Sequence, residues 1–481
     1  MKKRSLLSHL WHGLAAIGLA FSLVAPAAAQ SIPMAATPIL ALKSAPGLVM
    51  LTMSRDHRLY YAAYNDTSDL DGDGLIDVGF KPHITYYGYF ATDRCYRYDT
   101  SVTPNRFRPV SLASASDGCK SSSGRWHGNW LNWATMSRMD ALRKVLYGGY
   151  RSVDSTSLTV LEASNIPNDS HIWGKEYRPT SVGGPDAYDI THYTPLPTPG
   201  AGKMHTFIVK SEGDAKTVYT GRQVPIIRFA ENVDATIDRV WLWSSSERPI
   251  AGANGTFNYT RPAGKLLDGL PGQRSGTAYP SVSYPTSSNN ASIRVEVCVP
   301  IGGAYESGCA GYPKAAPTVW KPTGVLHEYG EKDSLKFGLI TGSYLNNYSG
   351  GVVRKDISSF KDEVNPNTGQ FTGTVGIVRT IDRLVTYGFN GSGPYTYDCG
   401  FAWTLRTQGQ CHMWGAPVAE MMFEGLRYFA GQQPLSAFTT GLSSSSSPDS
   451  RLGLPMVSTW SNPYRPKASG GNPICSRPVQ M

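Results

Sequence analysis

The sequence predicts an α/β core interrupted by β-rich insertions. Three observations predict it. A compact apolar run, Leu48-Val49-Met50-Leu51-Thr52-Met53, reads as a buried strand. Two helical periodicities lie far apart in the chain, and strand-like runs alternate with them. The 41 % hydrophobic fraction suffices for a core, and 50 Gly with 33 Pro imply many loops among the 481 residues.

The chain opens on Met1-Lys2-Lys3-Arg4. An apolar run from Gly13 to Ala25, broken only by Ser22, follows, and then Pro26-Ala27-Ala28-Ala29. A basic start, an apolar stretch shorter than the ~20 residues of a membrane span and small residues at the exit define a secretory signal peptide, residues 1–29, cut after Ala29. Residues 30–45 are rich in Ala, Pro and Ser and read as a flexible lead-in to one region, 46–481. The formal charge is +9 and becomes about +6 once the leader leaves. No block of five Lys/Arg occurs, so the charge is a solvated surface and not a nucleic-acid footprint.

After the first strand comes an acidic loop, 65–77. Residues 84–119 are Tyr-rich and read as irregular strands. The clearest helix runs from Trp130 to Leu146, with Leu131, Ala134, Arg138, Leu142 and Val145/Leu146 along one face, Asn129 as cap and Gly148-Gly149 as stop. Residues 180–225 and 244–292 read as long loops. Strand signals return at Val224–Phe229, Arg239–Trp243, Ile293–Val299 and Leu335–Thr341. A second helix covers Pro417 to Ala430, with Met421, Met422, Leu426 and Phe429 on its apolar side. The Ser-rich run 443–447 is a surface loop.

Cysteine usage agrees with export. Local pairing of Cys95 with Cys119, Cys298 with Cys309 and Cys399 with Cys411 is the simplest disulfide set in an oxidising compartment, and Cys475 is left over.

One motif carries chemistry. Asn65-Asp66-Thr67-Ser68-Asp69-Leu70-Asp71-Gly72-Asp73-Gly74-Leu75-Ile76-Asp77 contains DxDxDGxxD. Calcium takes six to eight oxygens, and carboxylates at 69, 71 and 73 can point inward from a tight loop that Gly74 lets turn. Leu75 would offer its carbonyl and Asp77 a further carboxylate. Asn65 or Asp66 could complete the shell, and Ile76 could anchor the loop in the core. Phe80 stands where an EF-hand would place its bidentate Glu, so the loop is closer to the Asp-rich calcium loops of extracellular repeats. The alternative is an acidic solvated turn, since Asp and Gly form turns. Calcium is favoured over magnesium, which tolerates crowded protein ligands poorly.

Other patterns are discounted. His327-Glu328-Tyr329-Gly330-Glu331 lacks the second His of HExxH. Gly272-Gln273-Arg274-Ser275-Gly276 has its Ser one place late for a nucleophile elbow. Trp126, Trp130 and Trp133 read as core residues, with a sugar-binding platform as the alternative. The sequence therefore predicts a non-enzymatic protein. The rival reading is a secreted carbohydrate-active or other hydrolytic enzyme, for which no carboxylate pair is picked out.

Several segments together carry a resemblance. The acidic loop, Tyr86-Tyr87-Gly88-Tyr89-Phe90, Gly128-Asn129-Trp130-Leu131-Asn132-Trp133-Ala134 and the run from Arg138 to Gly149 are followed by Arg294–Val299, Phe337–Ile340, Gly350–Arg354, Asn365–Gly369 and Ala419–Phe429. Over about residues 46–481 this resembles the PilY/PilC family of type IV pilus biogenesis factors and tip-associated adhesins. The resemblance implies a von Willebrand factor A-like, doubly wound core, with Val49–Met53 as first strand, Met136–Leu146 as first helix, Leu335–Thr341 a later strand and Pro417–Ala430 a later helix. It implies pilus assembly and adhesion. Minor pilins, the secretin region or other pilus components, and a host or abiotic surface, would be the partners. The protein would lie between periplasm and cell surface, without an integral membrane segment after leader removal. Two departures stand out. The first strand ends Met53-Ser54-Arg55-Asp56-His57, which does not match the metal-dependent adhesion motif DxSxS, and Ala416 stands where that motif's Thr is expected. Family members continue into a β-propeller, whereas this chain stops at Met481, about where another central strand would begin, so a truncated chain is expected.

Overall fold

The computed structural model describes residues 45–65, 68–75, 77–120, 124–166, 171–212, 223–235, 289–387, 408–409, 412–413, 415–465 and 476–481. Contacts divide the chain into residues 1–45 and a compact unit, Pro46–Met481. In chain order the strands are β1 (Gly47–Met53), β2 (Arg94–Asp99), β3 (Arg106–Leu112), β4 (Arg125–His127), β5 (Arg151–Asp154), β6 (Thr159–Glu162), β7 (Trp173–Tyr177), β8 (Lys203–Glu212), β9 (Val224–Asp234), β10 (Asn290–Ser292), β11 (Arg294–Glu296), β12 (Cys309–Tyr312), β13 (Val319–Pro322), β14 (Leu335–Thr341), β15 (Val352–Ser358) and β16 (Pro478–Gln480). The helices used below are α1 (Gly128–Thr135), α2 (Arg138–Tyr147), α3 (Val325–Gly330), α4 (Ile377–Arg383) and α5 (Val418–Phe429). The architecture is mixed α/β.

The central sheet has the order β15-β14-β1-β16. β1 pairs in parallel with β14 on one side and β16 on the other, while β15 closes one edge antiparallel. Both faces of β1 are covered, which is why its sequence is a continuous apolar run and not an alternating one. Leu48 and Met50 face a cluster with Ile340, Val353, Met421 and Tyr428. Val49 and Met53 face the main core with Phe337, Leu339 and Leu326. The last residues of the chain thus form the strand beside β1, where the sequence suggested that one would only begin.

Among the described residues three further sheets accompany this core, the smallest being the β12-β13 pair. Of the remaining two, one is antiparallel, β10-β9-β8-β7, and the other has six strands, β4-β2-β3-β11-β6-β5. β8 lies within 180–225, which the sequence marked as loop. Its alternation runs through buried polar residues such as His205, Lys210 and Ser211, which hides it from an apolar count. The expected strand Arg239–Trp243 lies outside the described residues.

The helix expected from Trp130 to Leu146 is two helices. α1 ends at Thr135, and Met136 is extended, with φ −82° and ψ 134°. Ser137 caps α2 in a reciprocal box with Asp140, and Gly148 ends it at φ 84°. Residues 61–63 cross this break: Ala63 N–H donates to Met136 O at 2.9 Å and Arg138 N–H to Tyr61 O at 3.1 Å. Those bonds explain the interruption, since the backbone groups at 136 and 138 are used by another segment. The cap of α1 is His127 and not Asn129. Trp126, Trp130 and Trp133 are all buried core residues, so the sugar-platform alternative falls.

α5 matches its expected span but not its expected face. Met421, Glu424, Gly425 and Tyr428 are buried, whereas Met422 is 37 % and Leu426 62 % exposed. The reason is local. A Cβ at Gly425 would stand 2.0 Å from Gln480 Nε2, so glycine lets β16 pass beneath the helix. Tyr428 Oη accepts from Ile357 N–H at 2.9 Å, and Glu424 Oε2 accepts from Leu435 N–H at 3.4 Å. These polar anchors rotate the helix away from its most apolar side.

Candidate functional site

The acidic loop is built on local side chain to backbone bonds. Asp69 accepts from Gly72 N–H (2.6 Å) and Gly74 N–H (2.9 Å). Asp71 accepts from Asp73 N–H at 3.2 Å, and Asp73 from Leu75 N–H at 2.8 Å. Gly72 and Gly74 sit at φ 81° and 89°, the left-handed region that side chains disfavour, so the turn needs both glycines. Asp77 is buried, closes the loop through Leu70 N–H at 2.7 Å, and donates its own N–H to Ser68 O at 3.0 Å.

Of the expected ligands, Asp69, Asp71 and Asp77 converge: one carboxylate oxygen from each lies within 4.8 Å of the others. Two oxygens that share a calcium at about 2.4 Å can be no more than about 4.8 Å apart, and the trio meets that limit. Asp73 lies outside the trio, and Leu75 is 69 % exposed. Asp66 and Ile76 lie outside the described residues; Leu70 is a loop side chain that packs on the core. The sequence also missed His83. Its Nε2 lies 2.8 Å from Asp71 Oδ2, and this hydrogen bond holds the Asp71 carboxyl below the usual carboxylate range. Beyond the loop, Val78 and Phe80 are buried, and Phe80 packs between Tyr86, Trp133 and Tyr193. The residue that departs from the EF-hand pattern is therefore the loop's hydrophobic anchor.

Two disulfides are formed, Cys95–Cys119 and Cys298–Cys309. Cys399, Cys411 and Cys475 lie outside the described residues. His327 is buried and lines the start of α3, where its Nδ1 accepts from Gly324 N–H at 3.3 Å. It has a structural partner that accounts for its place. At the carboxyl end of β1, Arg55 is buried and donates to the carbonyls of Ser343 (2.6 Å), Asn347 (3.1 Å) and His412.

The fold and site define a mixed α/β protein with a mostly parallel central sheet, disulfide-closed β insertions and an Asp-rich loop, and sequence comparison gives the family. Residues 77–230 match the family described as "PilY1 homolog, small alpha/beta domain", and residues 337–481 match "PilY1 homolog, second domain". A type IV pilus biogenesis factor PilY1 homolog of Xylella fastidiosa strain Temecula1 is 44 % identical over 444 residues, which cover 89 % of this chain and 28 % of that protein. A second protein of the same name and strain is 25 % identical over 416 residues, 80 % of this chain and 29 % of its own length. The chain belongs to the PilY1 family. It spans less than a third of the length of these two relatives. No solved structure matches it significantly.

Proposed function

We propose that this chain acts in type IV pilus biogenesis, in assembly and in tip-associated adhesion, and that the Asp69–Asp77 loop holds a structural calcium ion. Family membership carries the first part, because both relatives are named as type IV pilus biogenesis factors. Minor pilins or other pilus components, and a host or abiotic surface, are then its partners. The protein would be exported to the periplasm and cell surface. Its two disulfides are consistent with that route, as is the lack, among the described residues, of any helix long and apolar enough to cross a membrane. The central sheet is read as a von Willebrand factor A-like core, supported by the three parallel strands β14, β1 and β16 and by a β1 buried on both faces. The reading assigns no catalysis.

The calcium part rests on the converging oxygens of Asp69, Asp71 and Asp77. Like charges this close disfavour the loop until a cation joins them. Asp71→Asn with Asp77→Asn leaves one oxygen on each residue for the N–H groups of Asp73 and Leu70 and removes two charges. Calcium should raise the melting temperature of the wild type and leave the double variant unmoved. Without calcium the double variant should melt above the wild type. Asp73→Asn should behave as the wild type does. A wild-type melting temperature that stays constant up to about 10 mM calcium, beyond the affinity range of extracellular modules, would remove the ion from the account. The pilus role is tested separately. Deleting the gene in its piliated host should reduce surface pili and attachment, and unchanged pili and attachment would end that reading.

A further inference from the structure

A cavity of about 550 Å³ lies between the Tyr-rich loop 85–93, the C-terminal turn of α2 and the loop closed by Cys298–Cys309. Its walls are fixed. Arg94, buried, donates to Val299 O at 2.6 Å and Ala304 O at 3.0 Å, which pins the disulfide loop from beneath. Glu306 turns inward, pairs with Arg94 at 2.6 Å and accepts from Cys298 N–H. Tyr305 stacks on Trp320, with ring centroids 4.0 Å apart and planes 12° apart. This stack stands between the cavity and a second of about 250 Å³, and Tyr305 lines both.

Lys144 enters the cavity from α2. Its ammonium lies 4.6 Å above the Tyr87 ring and donates to Gly88 O. Among the described residues no carboxylate is in ion-pair contact with it. The nearby carboxylate, Glu306, is already engaged by Arg94 and by a backbone amide. Burial pulls the Lys144 ammonium down to about 8, with Glu306 opposing. A partly desolvated cation that no carboxylate touches, set in the wall of a preformed cavity, is a place where an anionic oxygen gains. The rest of the lining is aromatic ring, aliphatic side chain, backbone and hydroxyl groups, with Asp93 the other carboxylate and exposed, a mixture that suits a pyranose with its apolar faces and ring of hydroxyls.

We propose that this cavity binds an acidic saccharide, its carboxylate on Lys144 and a sugar ring against Tyr305. The proposal deepens the adhesion reading by naming a ligand class. It rests on that reading for its biological meaning alone, so binding is measured on the purified chain, and a negative result leaves the pilus role to its own test. Titration calorimetry with 3′-sialyllactose and digalacturonate, against lactose, galactobiose and acetate, gives the answer. At least one acidic saccharide should bind at least tenfold tighter than its neutral counterpart and than acetate. Lys144→Met should remove that preference, Lys144→Arg should keep it, and Tyr305→Ala should weaken every saccharide, all three variants melting as the wild type does. No binding of either acidic saccharide at millimolar concentration would overturn the proposal. So would acetate binding as tightly as the saccharides, or Lys144→Met binding like the wild type.

Discussion

Acid should loosen this protein through one histidine cap. His127 ends β4 and begins α1, and its Nδ1 accepts the N–H of Asn129 at 3.2 Å. Burial holds the ring down to about 4, and only the distant charge of Asp93 opposes it. Protonation turns the accepting nitrogen into a donor, so cap and charge cannot coexist. The folded value lies below the unfolded one, so between pH 6.5 and 4 the unfolded chain binds the extra proton and stability falls with pH. The full difference, about 2.5 units, corresponds to about 3 kcal/mol, of which about 2 kcal/mol has gone by pH 5. His127→Asn places Oδ1 where Nδ1 stood and does not titrate. It loses the ring contact with Tyr193, so its absolute stability is lower, and the slope is the quantity to read. His205 and His327 are also held down by burial, and they contribute equally to both proteins. Urea denaturation of wild type and variant from pH 7 to 4 should give curves that converge by about 3 kcal/mol as pH falls. Parallel curves would show that the cap does not carry the acid sensitivity.

Two other perturbations follow from the same packing. Asp140, buried, accepts from Ser137 N–H (3.1 Å) and Oγ (2.6 Å) and from Ser164 N–H and Oγ (both 2.8 Å). Asp140→Ala strands these donors and should cost at least about 3 kcal/mol in urea unfolding, and a loss below about 1 kcal/mol would contradict the hub role. Replacing Cys298 and Cys309 together by Ser opens an 11-residue closure worth about 2–3 kcal/mol; since Arg94 still ties the loop, the measured fall in stability should stay at or below the lower figure, and a larger one would mean that Arg94 does not hold it.

How much was legible in the sequence differs by element, for physical reasons. β1 and β14 were readable because strands buried on both faces must be apolar throughout. The split between α1 and α2 was not, because it depends on bonds from residues 61–63, remote in sequence from the helices they interrupt. The face of α5 was misread because glycine and the bonds of Tyr428 and Glu424 to other segments set its rotation, and an apolar count gives such residues no weight. The acidic loop was legible as a motif, since its geometry is local. Asp69, Asp71 and Asp77, all named from the motif, converge, while Asp73 stands outside that trio and His83, which meets Asp71, comes from beyond the motif. The saccharide cavity was invisible, because Tyr87, Lys144 and Tyr305 meet only after three distant segments pack.

Arg55 bears on where adhesion could reside. A von Willebrand factor A-like fold would capture ligands through a metal at the carboxyl end of its first strand, and the sequence there lacks the required oxygens. The structure gives that end of β1 a different occupant. The Arg55 guanidinium lies 5.0 Å from the Tyr344 ring centre and gathers the carbonyls of Ser343, Asn347, His412 and Gly415. A fixed cation on the chain thus ties together the 343–347 and 412–415 segments. Asp56, the nearest carboxylate in sequence, is spent on capping the turn 57–60 and on Arg58. A divalent ion at this edge would meet a buried positive charge and carbonyls already engaged, an arrangement that repels it. The adhesion proposed for this chain therefore needs chemistry other than metal capture at the sheet edge. The cavity beside Lys144 is the site proposed for it, since there the cation lines open volume and no carboxylate among the described residues touches it.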